Sequence, residues 1–193
     1  PERRQRIAQE TLEVYAPLAD RLGMGSIKGR LQDLAFPIAF PEEYRWVQSL
    51  VSPEYATATR SVERVRRVLL KRLAANGIRA EAHARAKHRY SLWKKLVRHD
   101  RDLQKIYDLV ATLVIVPTIE DCYHALGLIH TMWKPLPGRI KDYIATPKPN
   151  GYQSLHTTVF ALGGKIAEIQ IRTPAMHRWA EYGIAAHWAY KDE

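Results

Sequence analysis

Residues 138–159, GRIKDYIATPKPNGYQSLHTTV, form the segment on which the interpretation of the whole chain depends. They combine the cations Arg139, Lys141 and Lys148 with a turn stiffened by proline and glycine, and Tyr152 stands at the exit of that turn. Cations neutralise phosphates, turn N–H groups can cradle them, and an aromatic ring offers a stacking face for a base. The pattern fits a polyanionic ligand with a flat base, but it also fits an exposed loop with solvated lysines.

Strand patterns lie on both sides of this turn. Residues 153–160 and 165–172 have strand composition and flank Gly163 and Gly164, which predicts a hairpin. Residues 109–116 are nearly all apolar and rich in Val, Ile and Thr, which predicts a strand buried on both faces.

Helices are predicted between the strands. Residues 78–83 predict a first strand and residues 91–97 a helix, while Thr118 predicts the N-terminal cap of another helix. Residues 173–190 predict a last helix that opens at Thr-Pro. The order strand, helix, strand, helix, strand, strand, helix predicts an α/β (α+β) fold, in which helices pack on a mixed sheet.

Residues 1–77 predict helices only. Pro17 predicts a kink or a break in the first helix, and Ser26 predicts the cap of the next one. Residues 52–54, Ser-Pro-Glu, predict the start of a further helix that ends at residues 76–77, Asn-Gly. The apolar side of the helix after Ser26 is predicted from three residues: Ile27, Leu31 and Leu34. The apolar side of the last of these helices is predicted from four residues: Val62, Val65, Leu69 and Leu73.

Length and composition exclude several classes of protein. The 193 residues are 46% hydrophobic, which is typical of a globular chain, and the longest apolar run, residues 109–117, is too short to span a bilayer. Cys122 is the single cysteine, so an internal disulfide is excluded and a reducing cytoplasm is expected. The chain begins with Pro1 and lacks a signal-peptide pattern, so we expect a piece of a longer cytoplasmic protein with no membrane partner.

The positive charge is concentrated in the middle of the chain. The net charge is +10, and residues 78–150 alone carry +6, from 13 basic and 7 acidic residues. Residues 151–193 are balanced, with four of each sign. The excess points to a phosphate-bearing ligand such as a nucleotide, a nucleic acid or a lipid headgroup, while a solvated basic face is the alternative.

Two carboxylates are candidates for metal binding. Glu168 shares one face of the predicted strand 165–172 with Gln170 and Arg172, because alternate side chains of a strand point the same way. Such a row suits metal and phosphate binding, although it also suits a half-exposed strand. Asp108 precedes the most buried predicted strand. Acids at strand ends often reach a metal, but more commonly they only cap or turn the chain. Asp108 and Glu168 together could hold Mg²⁺, because this ion takes one or two carboxylates and completes its shell with water and phosphate oxygens.

A basic motif, R-x-K-x₃-S-x₃-K, is formed by Arg85, Lys87, Ser91 and Lys95. If residues 87–95 are helical, the steps of four place the two lysines and the serine on one face. This arrangement could grip a phosphate near a helix N-terminus, and a solvated basic helix is a comparable alternative.

The eight histidines show no convincing spacing for a metal site. His156 differs from the others because it shares a strand face with Ser154 and Thr158, shortly after Tyr152. No RNA-recognition motif is present, which weighs against a basic RNA-binding domain.

Five segments in the same order resemble the synthetase domain of the RelA/SpoT family, the alarmone enzymes that make and often degrade (p)ppGpp. They are RAKHRYSLWKK (85–95), IYDL (106–109), RIKDYIATPKPNGYQSLHT (139–157), EIQIRT (168–173) and AAHWAYK (185–191). Residues 10–23, ETLEVYAPLADRLG, resemble the end of the family's hydrolase domain. The resemblance implies a helical connector in residues 1–77 and a nucleotidyltransferase-like synthetase domain in residues 78–193.

The resemblance also implies a reaction, in which the β,γ-pyrophosphoryl group of ATP moves to the 3′-oxygen of GDP or GTP. By the matching motifs, Asp108 and Glu168 would hold Mg²⁺, and Glu168 would also accept the 3′-OH proton. The implied ATP ligands are Arg85, Lys87, Ser91 and Lys95. The implied GDP or GTP ligands are Lys141, Lys148, Asn150, Tyr152 and His156. The implied phosphate ligands are Arg139, Gln170 and Arg172.

One departure from the family pattern concerns Leu113, which stands where an adenine-stacking arginine is expected. It keeps a second hypothesis open, a catalytically weak or inactive domain that binds guanine nucleotide and regulates an adjacent hydrolase. The basic run RIKD (139–142) looks like that of bifunctional members. The resemblance therefore implies hydrolase and C-terminal regulatory domains elsewhere in the full-length chain, and a ribosome contact through those missing domains.

Overall fold

The computed structural model describes residues 2–187, which form seven α-helices and five strands. The helices are α1 Glu2–Glu10, α2 Ala16–Arg21, α3 Gly25–Ala39, α4 Pro41–Ala75, α5 Arg89–Arg98, α6 Ile119–Met132 and α7 Pro174–Tyr182. The strands are β1 Glu81–Ala86, β2 Val110–Ile115, β3 Lys141–Asp142, β4 Leu155–Phe160 and β5 Ile166–Arg172. None of the described helices is long and apolar enough to cross a membrane.

The first helices differ from the prediction in detail. Pro17 does not break the helix; α1 continues into α2 through a π-helical turn at Thr11–Tyr15, just before the proline. A wider turn accommodates a residue that lacks an N–H donor. Ser26 is not a cap, because α3 already begins at Gly25 and Met24, the residue before it, makes no side-chain capping bond.

The buried side of α3 was also predicted wrongly. Leu34 is 69% exposed and Ile27 is 40% exposed, whereas Phe36 is fully buried. The buried residues of α3 are Gly29, Gln32, Ala35, Phe36 and Ala39. Small residues and one aromatic ring face the rest of the protein because α3 approaches its neighbours closely: a Cβ at Gly29 would stand 2.2 Å from Nε2 of His88.

Helix α4 runs without a break through residues 52–54, where a new helix was predicted to start. Pro41 occupies its first turn, where the missing N–H has no intrahelical partner to lose. The helix ends at Ala75, and Gly77 takes a left-handed conformation (φ +76°), as predicted from Asn-Gly. The four residues predicted to form its apolar side are all buried: Val62, Val65, Leu69 and Leu73.

The five strands form one mixed sheet with the order β1-β2-β5-β4-β3, which confirms the predicted fold class. Strands β2 and β5 are parallel, and the other neighbouring pairs are antiparallel. Strand β1 begins three residues later than predicted, and α7 ends at Tyr182 rather than near Tyr190. Residues 188–191 of the AAHWAYK segment lie outside the described residues.

The pairing of the strands places one continuous row of side chains, which we call the polar row, on one face of the sheet. His83 of β1 lies opposite Leu113 of β2, which lies beside Gln170 of β5. Gln170 lies opposite His156 of β4, and His156 lies opposite Lys141 of β3. The other face packs against α4 and α6. The polar row therefore marks the face on which chemistry is to be sought.

Two apolar clusters join the helical segment to the rest of the chain. The first packs Leu69 and Leu73 of α4 against the sheet and α6. The second packs Phe36 of α3 against Tyr90 and Leu92 of α5. Both clusters contain residues from either side of position 77, so the division between a connector and a synthetase domain stays a prediction.

Candidate functional site

Five polar side chains form a closed ring around the middle of β4 and β5. Gln170 Nε2 donates to Glu168 Oε1 (3.0 Å), and Arg172 Nη2 donates to Gln170 Oε1 (2.9 Å). Arg172 Nη2 also reaches the Tyr152 hydroxyl (3.4 Å), which contacts His156 Nε2 at 2.8 Å. His156 Nδ1 lies 3.6 Å from Glu168 Oε1 and closes the ring. Each member therefore has its orientation set by two others.

The ring keeps its carboxylate ionised and its imidazole neutral. Burial alone would raise the pKa of Glu168, but its bonds to His156 and Gln170 hold that pKa below the ordinary value. Burial lowers the pKa of His156, and Arg172 and Lys148 lower it further against the opposing effect of Glu168. The tautomer with its proton on Nδ1 suits both neighbours: the Nδ1–H faces Glu168 Oε1 at 3.6 Å, and Nε2 accepts from the Tyr152 hydroxyl.

Arg172 is the most unusual member of the ring, because its side chain is fully buried. Its Nε and Nη1 atoms have no hydrogen-bond partner among the described residues. Burial lowers its pKa, with Arg85 acting in the same direction and Tyr152 and Glu181 opposing. Buried polar groups usually find partners. Two unused donors on a buried guanidinium are suited to an anionic oxygen.

The turn before β4 presents Tyr152 between cations. Lys148 Nζ lies 5.1 Å from the centre of the Tyr152 ring, and the Arg172 guanidinium lies 5.4 Å from it. Gly151 has φ +78°, and a side chain there would meet Trp179 at 2.6 Å. Only glycine tolerates both the conformation and the contact. Glycine at this position thus fixes where the tyrosine leaves the turn.

Asp108 is held by two lysines. Lys87 Nζ donates to Oδ2, and Lys95 Nζ lies 2.8 Å from Oδ1. The side chain of Asp108 is 12% exposed. Burial would raise the pKa of Asp108, but the two ammonium groups outweigh it and hold that pKa below the ordinary value.

The predicted ATP ligands do not share one helix face. Lys87 precedes α5, so it is not part of the helical stripe that was predicted, although Lys87 and Lys95 still converge on Asp108. The Ser91 hydroxyl donates instead to Gln32 Oε1 of α3 (3.1 Å). Arg85, on β1, pairs with Glu181 of α7 at 3.4 Å.

The remaining predicted ligands are spread around the turn. Asn150 donates from its side chain to the Asp20 carbonyl (2.9 Å), so it ties the turn to the helical segment. The Arg139 guanidinium lies 5.6 Å from the centre of the Tyr107 ring. Lys141 lies beside His156 in the sheet.

A cleft of about 200 Å³ brings five predicted ligands together with residues that sequence reasoning missed. The predicted ligands that line it are Arg85, Ser91, Lys148, Asn150 and Tyr152. Lys28 and Gln32 of α3 also line it, although no motif marks them. Glu181 is another omission, and its position next to the AAHWAYK segment is the signal that could have found it.

The two carboxylates, Asp108 and Glu168, have the chemistry that a hard divalent cation requires of its ligands. Among residues 2–187 no cluster of three or more His, Cys, Asp or Glu could hold a metal, so a site built from protein ligands alone is not present in the described part. The negative charge of Asp108 partly opposes the lowering of the pKa of Glu168, so the two carboxylates act on each other electrostatically. One or two carboxylates with phosphate oxygens are the ligands that Mg²⁺ prefers.

Comparison with known proteins finds a matching family model and close relatives. The model described as "Region found in RelA / SpoT proteins" matches residues 84–193. The chain is 52% identical over 192 residues to a GTP pyrophosphokinase of Streptomyces coelicolor, and it is 47% identical over 192 residues to the bifunctional (p)ppGpp synthase/hydrolase RelA of Mycobacterium tuberculosis. Both matches cover all of this chain, which spans about a quarter of the relatives' length (23% and 26%).

The fold is also similar to that of a solved structure. The small alarmone synthetase 1 of Bacillus subtilis, crystallised with its product pppGpp, gives a TM-score of 0.54 at 23% identity. The match covers 77% of this chain and 82% of the other. At this identity the likeness concerns the fold alone.

Proposed function

Since the chain belongs to the RelA/SpoT family, we propose that it carries out the synthetase reaction of an alarmone enzyme. The β,γ-pyrophosphoryl group of ATP is transferred to the 3′-OH of GDP or GTP, which gives ppGpp or pppGpp and releases AMP. The relatives named GTP pyrophosphokinase and (p)ppGpp synthase/hydrolase support this proposal. Because the chain spans about a quarter of their length, the reaction is proposed for this part of a longer, bifunctional protein.

The observation that carries the proposal is the polar ring that holds Glu168 ionised beside Tyr152 and Arg172. Glu168 is the base that accepts the 3′-OH proton, and Gln170 and neutral His156 fix its orientation. Phosphoryl-type transfer needs mainly positioning and neutralisation of charge. The ring provides the positioning and the surrounding cations provide the neutralisation.

The two nucleotides are assigned to different parts of the site. Tyr152 stacks on guanine, and Lys148 and Lys141 neutralise the phosphates of the acceptor. Lys87 and Lys95 grip the phosphates of ATP, and the buried guanidinium of Arg172 contributes positive charge to the site. Asp108 and Glu168 would hold Mg²⁺, which would supply positive charge to the phosphate oxygens.

The proposal extends to the setting of the protein. Residues 1–77 act as the connector from the hydrolase domain and residues 78–193 as the synthetase domain. We place the full-length protein in the cytoplasm, with its hydrolase and C-terminal regulatory domains as intramolecular partners and the ribosome as a partner through the latter.

The first prediction tests the carboxylates. Asp108→Asn and Glu168→Gln keep the fold and remove Mg²⁺-dependent transfer, because each loses a metal ligand, and Glu168→Gln also loses the base. Labelled ATP, GDP and Mg²⁺ are incubated with each variant, and ppGpp is separated from the substrates. Asp100→Asn is the matched control, because Asp100 has a side chain that is 89% exposed. Wild-type rates in either site variant would refute the assignment.

A second candidate function is guanine-nucleotide binding without synthesis, in which the domain regulates an adjacent hydrolase. Leu113 favours it, because the leucine lies in the polar row between His83 and Gln170, where an adenine-stacking arginine is expected. In that case the same assay yields no ppGpp from the wild-type protein, while calorimetry still detects GDP binding.

A further inference from the structure

We propose that Lys87 and Lys95 occupy the metal-binding oxygens of Asp108 until ATP arrives, so that Mg²⁺ enters the site with the nucleotide and not before it. This inference rests on the proposed function, in which Asp108 is a metal ligand. It adds two points that the family relationship does not supply. One is the order in which metal and nucleotide bind, and the other is the transfer of the two lysines from Asp108 to the phosphates of ATP.

Both oxygens of Asp108 are already used. Lys87 Nζ is bonded to Oδ2 and Lys95 Nζ lies 2.8 Å from Oδ1, so each oxygen has an ammonium group of its own. Mg²⁺ needs an uncovered oxygen at about 2.0–2.1 Å and dehydrates reluctantly. Two ammonium groups at the same carboxylate also repel a dication. Metal alone must therefore either bind beside two ammonium groups or displace one of them.

The backbone of each lysine is fixed, whereas its side chain can change partner. The Lys87 N–H donates to the Leu109 carbonyl (3.0 Å), and the Lys87 carbonyl accepts from the Tyr55 hydroxyl (2.9 Å). Lys95 lies on α5 next to the fully buried Leu96. A lysine carries its charge on a flexible four-carbon stem, so it can turn from a carboxylate to a phosphate without movement of the main chain.

Glu168, the other carboxylate of the site, has different contacts from Asp108. Glu168 is contacted by the Gln170 amide and by the imidazole of His156, and no lysine within residues 2–187 is paired with it. An amide and a neutral imidazole do not compete with a cation by charge. Asp108 is therefore the carboxylate at which metal entry is controlled.

ATP supplies the charge that frees Asp108. Its phosphates offer each ammonium group a new anionic partner, and the uncovered carboxylate would then be available to hold Mg²⁺. Binding of the metal and the nucleotide is coupled, and such coupling is reciprocal and typically about 5–150-fold. Removing one lysine should therefore change the two affinities in opposite directions.

The test measures metal and nucleotide binding separately. Mn²⁺ alone is titrated into wild type, Lys87→Met and Lys95→Met by calorimetry and electron paramagnetic resonance, and metal-free ATP is titrated in parallel. We expect each variant to bind Mn²⁺ about fivefold more tightly or better, and to bind ATP at least about fivefold more weakly. Lys105→Met is the matched control, because Lys105 pairs with the exposed Asp100 (3.4 Å), and it should change neither affinity.

Two further variants make the outcome decisive. Lys95→Arg keeps the positive charge at Asp108 and should keep Mn²⁺ binding as weak as in wild type. Asp108→Asn combined with Lys95→Met should abolish the gain, because the oxygens that the lysine had covered are gone. Unchanged or weakened Mn²⁺ binding in both lysine variants, with native circular dichroism, would overturn the inference.

Failure of the proposed function gives a different pattern. If the wild-type protein makes no ppGpp but the lysine variants still gain Mn²⁺ affinity, the exchange of lysine partners is supported and the synthetase assignment is refuted. If ppGpp is made and the Mn²⁺ affinity does not rise, the exchange alone is refuted.

Discussion

At the scale of single residues, Tyr152 links the turn to the polar ring. Its ring stands near Lys148, and its hydroxyl contacts His156 and Arg172. We predict that Tyr152→Ala weakens GDP binding by about 1–3 kcal/mol, the usual contribution of stacking a base on an aromatic ring, with little effect on ATP. Calorimetry with each nucleotide measures both. Tyr152→Phe is the matched variant, because it keeps the stacking face and removes only the hydroxyl contacts, so most of the GDP affinity should remain. Equal GDP affinity in Tyr152→Ala and wild type would contradict the stacking role.

Leu113 is the residue at which packing and ligand binding make opposite predictions. It is 5% exposed, yet it belongs to neither apolar cluster of the described residues and lies in the polar row beside Gln170. We predict that Leu113→Arg folds with little loss of melting temperature and tightens ATP binding by about 1–2 kcal/mol, as an arginine stacked on adenine would. Val114→Arg is the control: Val114 faces the core and is fully buried, so an unpaired charge there should unfold the domain. A large fall in the melting temperature of Leu113→Arg without any gain in ATP affinity would show that Leu113 is a core residue and does not line an adenine site.

Arg172 shows where sequence reasoning about the site ends. Alternation along β5 placed its side chain on the same face as Glu168 and Gln170, and the structure brings the three together. Its complete burial was not predictable, because it depends on elements distant in sequence, such as the turn that carries Tyr152. Gln32 was missed for the same reason, since its contact with Ser91 joins residues 59 positions apart.

At the scale of elements, the docking of α3 on α7 depends on a glycine. A Cβ at Gly25 would stand 2.3 Å from the Ala180 carbonyl oxygen, which belongs to helix backbone and cannot turn aside. We predict that Gly25→Ala costs about 1–3 kcal/mol in the free energy of unfolding, the usual cost of overpacking. Urea denaturation measures it.

Gly127 provides the matched control within another helix. A Cβ there would meet no atom of residues 2–187 within 4 Å, so Gly127→Ala should stabilise α6 by about 0.5–1 kcal/mol through the lower entropy of its unfolded chain. Opposite signs for the two substitutions are expected. Stabilisation by both would mean that α3 is not docked on α7 as described.

Elements with a strong local signal were predicted well. The apolar run of β2 and the Thr118 cap of α6, whose hydroxyl accepts from the Asp121 N–H at 3.0 Å, need no tertiary information. The start predicted at residues 52–54 was wrong because the signal for a helix start there competes with packing along the length of α4. Its partners in that packing come from both apolar clusters, which no local pattern in the sequence reveals.

At the scale of the whole molecule, the predicted boundary at residue 77 crosses two shared cores. Leu69 and Leu73 are fully buried against the sheet, and Leu92 and Leu96 of α5 are fully buried in the cluster of the helical segment. Cutting the chain at the boundary would expose apolar surface on both pieces, at about 25 cal/mol per Å².

We therefore predict that residues 78–193 alone do not fold cooperatively. The fragment should show a broad thermal transition by circular dichroism and bind the dye ANS, whereas the whole chain should melt in one sharp transition. A milder version uses the intact chain: Leu69→Ala should cost about 2–5 kcal/mol because Leu69 is fully buried, while Leu34→Ala, at a position that is 69% exposed, should cost little. If the fragment melts sharply at the temperature of the whole chain, residues 78–193 form an independent domain and α4 only rests on it. If it does not, the connector is part of the synthetase core, and any movement of α4 alters the packing behind the sheet that carries Glu168.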